Sequence, residues 1–174
     1  FRLRMLLHVA QSQASSEAFK LQFATSTGGA CIGLSYENVT TATAISFYNN
    51  ATPADGAAMT ASSTDPTHSG HTIVTETYEE ANNFSVSTAI PSGQDGKWDF
   101  SLYNNVATNA STYCLRTVYS DDTVIETYSK YPALTMDIPT NLRQLHYRFR
   151  EDNAGETDSR SLAAEDTSPT TVFQ

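Results

Sequence analysis

Along the first nine residues, FRLRMLLHV, apolar side chains take every second position: Phe1, Leu3, Met5, Leu7 and Val9 share one face, and Arg2, Arg4 and His8 the other. A period of two is the pattern of a half-buried β-strand. AFKLQFATS repeats it, with Phe19, Leu21 and Phe23 inward. SQASSE connects the two runs, and their adjacency predicts an antiparallel pair. Further strands are predicted over 31–36, 43–48, 71–78, 83–90, 97–103, 112–120, 123–131 and 142–150. SDDT reads as a tight hairpin turn, and PSGQDG as a turn rich in glycine and aspartate. Residues 49–70 are polar and small and read as a mobile surface loop. About ten strands with almost no helical periodicity predict an all-β chain, a two-sheet antiparallel sandwich of jelly-roll or immunoglobulin-like kind.

The run at 142–150 stands apart from this frame. Leu145, Tyr147 and Phe149 form one face against Gln144, His146, Arg148 and Arg150, with Leu142 at the start. Pro139 precedes the run and suits a linker. The acidic tail that follows has little to bury beyond Leu162, Val172 and Phe173. The expected organisation is a β-sandwich over 1–138, then a linker, late strand and polar tail over 139–174. An apolar strand face needs a sheet to cover. It either returns to its own sandwich or completes that of a neighbouring copy, in which case Leu142, Leu145, Tyr147 and Phe149 are the intersubunit anchors.

A net charge of −9 on 174 residues excludes nucleic acid and anionic membrane surfaces as natural partners. No run approaches the ~18 apolar residues of a membrane helix, so no membrane insertion is expected. The arginines and apolar patch at the start imitate a signal peptide, but the patch is short and holds His8, so it reads as mature sequence. Phe1 is not an initiator methionine, which implies an upstream segment. The only cysteines, Cys31 and Cys114, each lie in an apolar run. An even count among so many Thr, Ser and Asn residues points to one disulfide and an extracellular or cell-surface location; the alternative is two buried thiols.

Candidate chemistry is sparse. Nucleophile elbow, P-loop, dinucleotide and HExxH patterns are lacking, and a non-enzymatic role is expected. HSGH puts His68 near His71, with no third ligand evident. Two acidic loops offer oxygen ligands for Ca²⁺: DNAGETD, with Asp152, Asn153, Glu156 and Asp158, and SGQDGKWD, with Asp95 and Asp99. Solvated turns are the simpler reading of both. Trp98, Tyr103, Tyr113 and Tyr119 are candidates for a sugar-stacking platform, or else core. Four sequons begin at Asn38, Asn50, Asn83 and Asn109, of which Asn50, in the long loop, is the best expected glycan acceptor.

The order YRFREDNAGE, SLAAEDT, FRLRMLLHV, FKLQFATSTGGAC and STYCLRTVYSDDTVIETYSKYPAL, read with the chain's end joined to its start, resembles the tandem β-sandwich repeats of very large secreted bacterial surface proteins. Those repeats open on a YRWR-type strand and close on a YCFR-type strand; here Phe149 stands in the Trp position. The resemblance implies one repeat cut in shifted phase, with 141–174 opening the next. The leading expectation is a structural module that assembles head to tail with copies of itself, as a filament subunit or surface-layer repeat. The rival is a monomeric carbohydrate-binding or adhesive module with a glycan ligand.

Overall fold

The structure, a computed structural model, describes residues 1–81, 83–125 and 128–136. The expectations placed on 139–174, including Leu142, Leu145, Tyr147, Phe149, Asp152, Asn153, Glu156 and Asp158, lie outside the described residues. In chain order the described strands are β1 (Arg2–Val9), β2 (Ala18–Ser26), β3 (Glu37–Asn38), β4 (Ile45–Phe47), β5 (Ile73–Glu79), β6 (Asn83–Ser85), β7 (Gln94–Asn104), β8 (Thr112–Tyr119) and β9 (Ala133–Thr135). There is no helix among them, and they form the two sheets of an all-β sandwich.

The first sheet is built on β7. Antiparallel β1 lies along one side, from Arg2↔Ser101 to Val9↔Gln94. The other side is shared by β5, the parallel exception, and by antiparallel β4. In the second sheet β2 pairs with β8 on one side and with short β6 and β3 on the other, while β9 borders β8.

The expected β1–β2 hairpin does not form, because the two strands belong to different sheets. Residues 10–17 carry the chain from one layer to the other, and Ala14 is held on the way by two backbone hydrogen bonds with Ile90. Alternation specifies which face of a strand is buried, but not which strand lies beside it.

Other boundaries also shift. Residues 31–36 form turns rather than a strand, with Gly33 at φ +76°. In place of the strand expected over 123–131, Val124 makes an isolated bridge to Val118, and the pairing strand lies later, at β9. Between these, the SDDT turn closes as expected: Thr123 O accepts from Tyr119 N, and Asp122 takes a positive φ of 69°.

One core joins the sheets. Leu21 and Phe23 of β2, Ile45 and Phe47 of β4, Trp98, Phe100 and Leu102 of β7, and Tyr113 and Leu115 of β8 are all buried in it. Phe84 of β6 reaches across to Trp98 and Phe100, with ring centroids 5.4 and 4.9 Å away. Fully burying each such side chain contributes about 1.5–3 kcal/mol. Gly96 makes room for the packing. A Cβ there would stand 2.4 Å from Ile90 Cδ1 and 2.7 Å from the Trp98 ring.

Cys31 and Cys114 form a disulfide that ties the 27–36 connection to the centre of β8 across 83 residues of chain. Opening it with Cys31→Ser and Cys114→Ser together should lower unfolding free energy by about 4 kcal/mol in urea titrations, as loop-closure entropy requires for so long a loop. Gly96→Ala should cost about 1–3 kcal/mol in the same assay by overpacking Trp98 and Ile90.

Candidate functional site: a charged sheet face beside an open edge

The alternation that turns Trp98, Phe100 and Leu102 inward turns Asp95, Lys97, Asp99 and Ser101 to the other face of β7. That face is also withdrawn from water: Asp95 is 1 % exposed, Lys97 4 % and Asp99 0 %. Charges in such a position need partners. β1 supplies the first set, because its register puts Arg4 opposite Asp99 and His8 opposite Asp95. The connection between β4 and β5 supplies the second. Rather than a mobile loop, it is fastened against the sheet by Asn50, Asp65, His68 and His71.

Asp99 accepts hydrogen bonds from Arg2 Nε at 3.1 Å and Arg4 Nε at 2.6 Å. Arg4 also bonds Asp65, whose other oxygen takes the Lys97 ammonium at 2.5 Å. The bond from Lys97, then the Ser62 N–H and Arg4, hold the Asp65 carboxyl well below the usual carboxylate range. Arg2 stacks over Tyr78, 4.8 Å from its centroid.

At the other end of the same face, Asp95 meets three histidines. His8 Nδ1 lies 2.8 Å from Asp95 Oδ1, and His68 Nδ1 lies 3.0 Å from Oδ2. His71 donates from Nδ1 to the Gly93 carbonyl at 2.7 Å and stacks on His68 with centroids 3.7 Å apart. One ligand atom from each of His8, His68, His71 and Asp95 falls within 4.8 Å of the others. The HSGH spacing identified two of these residues. The other two come from β1 and β7, and only the β1–β7 register brings them together.

The calcium expectation for Asp95 and Asp99 does not fit this geometry. They stand on a strand rather than a loop, on one face and about 13 Å apart at 3.3 Å per residue. Asp99 is occupied by Arg2 and Arg4.

β5 and its extension add three buried carboxylates, Glu76, Glu79 and Glu80. Glu80 accepts from Tyr78 OH at 2.8 Å and from Asn50 N at 2.7 Å. Glu76 accepts two bonds from Ser87 with one oxygen, while Oε1 has no partner among the described residues. Among the described residues Glu79 accepts from the Thr77 hydroxyl alone, and burial pushes its carboxyl up to about 7, with a smaller push from Asp55 and Glu76.

Among the described residues β1 pairs only with β7, so its other side is a sheet edge eight residues long. Phe1 and Leu102 exchange backbone bonds, which directs the N–H and C=O groups of Phe1, Leu3, Met5, Leu7 and Val9 toward β7. Those of Arg2, Arg4, Leu6 and His8 face outward at the edge. The core is closed over β7 but incomplete here, since Leu3, Met5, Leu7 and Val9 pack against it only partly buried.

The remaining candidates are dispersed. Trp98 and Tyr113 are core residues at 1 % and 2 % exposure and form no exposed platform with Tyr103 and Tyr119. A tyrosine group that the sequence reading missed lies on the second sheet: Tyr36 and Tyr128 flank Arg116, whose guanidinium is 4.0 Å from the Tyr36 centroid, and Tyr131 stacks on Tyr36. The amide nitrogen of Asn50, the atom a glycan would take, donates to Tyr78 and Ser101. Asn38 accepts from Gln22, whereas Asn83 and Asn109 are exposed.

Comparison of the chain with protein-family models, curated proteins and solved structures finds no match. Among the described residues there is no helix long and apolar enough to cross a membrane.

Glu79 sets a pH dependence. Its folded-state pKa near 7 exceeds the ordinary 4.5, so the folded protein retains a proton that the unfolded chain has lost, and stability declines as pH rises through that window. Glu79→Gln should stabilise by about 1 kcal/mol at pH 8, the shift's worth discounted for residual solvation, and leave stability unchanged near pH 4, as read by paired thermal melts.

Proposed function

We propose that this chain is a non-enzymatic structural module of an extracellular assembly, joined to neighbouring copies by strand addition at the free edge of β1. The observation that carries this reading is the edge itself. Along an eight-residue strand the backbone groups of Arg2, Arg4, Leu6 and His8 face outward without a strand partner among the described residues, beside half-buried Leu3, Met5, Leu7 and Val9. Natural sheets protect such edges or use them for pairing. The chain also contains a segment of matching character, because LRQLHYRFR has the length, alternation and apolar face to cover β1.

The complementing strand is residues 142–150 of an adjoining copy, either the next repeat of one long polypeptide or a separate subunit. Leu145, Tyr147 and Phe149 would extend the core beyond Leu3, Met5 and Leu7, and the backbone ladder would use the outward groups of Arg2, Arg4, Leu6 and His8. A head-to-tail contact of this kind repeats without closing and so yields filaments. The Cys31–Cys114 disulfide fits an oxidising location outside the cell and a module built to last.

Light scattering and electron microscopy of the purified chain test this. The full chain should form concentration-dependent linear oligomers. A variant ending at residue 138 should be monomeric and should bind a peptide of residues 141–152. Leu145→Asp with Phe149→Asp should weaken assembly at least ~100-fold, given about 1.5–3 kcal/mol per buried apolar side chain. A full-length chain that stays monomeric at every concentration, while the shortened variant still takes up the peptide, would mean that the strand returns to its own sandwich and would overturn assembly.

A further inference from the structure

We propose that His8, His68, His71 and Asp95 form a binding site for a divalent transition metal of the zinc type, which clamps the β4–β5 connection onto the β1–β7 face. The inference stands apart from the assembly reading and rests on the side-chain geometry of one chain.

Three imidazoles and one carboxylate are a borderline donor set that suits zinc and its neighbours, whereas Ca²⁺ takes six to eight oxygens. The spacing agrees. Zinc bonds of ~2.0–2.1 Å in a tetrahedron place ligand atoms about 3.3 Å apart. Asp95 oxygens already stand 2.8 Å from His8 Nδ1 and 3.0 Å from His68 Nδ1, and all four ligand atoms lie within 4.8 Å of one another. His71 closes the set through Nε2, because its Nδ1 proton is committed to the Gly93 carbonyl. A backbone acceptor behind a ligating histidine is the usual outer-shell arrangement, fixing both tautomer and ring orientation.

Burial gives the site a floor and an entrance. Asp95 is 1 % exposed beneath it, while the His8 and His68 side chains are 39 % and 46 % exposed, leaving a path for an ion and freedom for both rings to turn inward. His68 and His71 stack face to face, with centroids 3.7 Å apart, and because an imidazole binds an ion in its own plane, coordination would turn one ring away from the other. With four protein ligands the centre is closed, so its role is structural. His8 belongs to β1, Asp95 to β7, and His68 and His71 to the connection, so one ion would fix three segments.

The test uses the full chain, stripped with chelator and then titrated with Zn²⁺ by calorimetry and thermal melting. One ion should bind per chain, and at about 100-fold excess over Kd the melting temperature should rise by about 5 °C or more. Ca²⁺ should produce no comparable shift, and Co²⁺ should show the intense visible absorption of tetrahedral coordination. His71→Ala, which leaves the Asp95 contacts of His8 and His68 in place, should lower Zn²⁺ affinity at least ~10-fold with an unchanged circular dichroism spectrum, and His8→Ala likewise. Failure of the unmutated chain to bind Zn²⁺ raised to about 1 mM, the weak end of specific affinity, overturns the proposal. So does stoichiometric binding that survives both substitutions undiminished, since the ion would then sit elsewhere.

Discussion

The first sheet depends on one constraint: β7 is buried on both faces, yet only one of them is apolar. Asp95, Lys97 and Asp99 lie on the second face, where unpaired charge would be too costly to retain. Each has a partner drawn from another segment. Arg2 and Arg4 neutralise Asp99, Asp65 neutralises Lys97, and His8 and His68 gather at Asp95. These pairings account for the polar alternation of β1, the closeness of the long connection to the sheet, and the convergence of three histidines in a chain that holds only four.

The arrangement also makes β1 a strand with two roles. Its inward residues Leu3, Met5, Leu7 and Val9 pack against the core while partly buried, and its outward residues bind the charged face of β7. Both depend on the β1–β7 register, since a one-residue slip would turn Arg4 and His8 into the core and Leu3 and Met5 toward Asp99. The strand is firmly specified on the side that faces β7, and among the described residues no strand pairs with its other side. The charged face stiffens it without covering its edge.

The second sheet has a plainer logic. β2 and β8 pair over eight residues, and their inward side chains meet those of β7. The disulfide anchors a glycine-containing connection, which Ser26 and Tyr36 also hold through the Ala30 and Cys31 carbonyls. Its outer face carries Gln22, Arg116 and the surrounding tyrosines, a packed polar and aromatic layer in place of an ionic one.

The sequence by itself determined the all-β class, the inward faces of β1 and β2 and the SDDT turn, and it pointed to the Cys31–Cys114 pair. All of these follow from local chemistry or from a count of two. Tertiary structure alone decided that β1 lies against β7 rather than β2, because alternation orients a strand without choosing its neighbour. It likewise decided that Trp98 is core, that Asn50 is tied into a buried network, and that Asp95 belongs with histidines rather than in a calcium loop. The HSGH pair was legible because its members are three residues apart. His8 and Asp95, 60 or more positions before His68 and 24 or more after His71, join the pair only when folding removes the water between the long connection and the sheet.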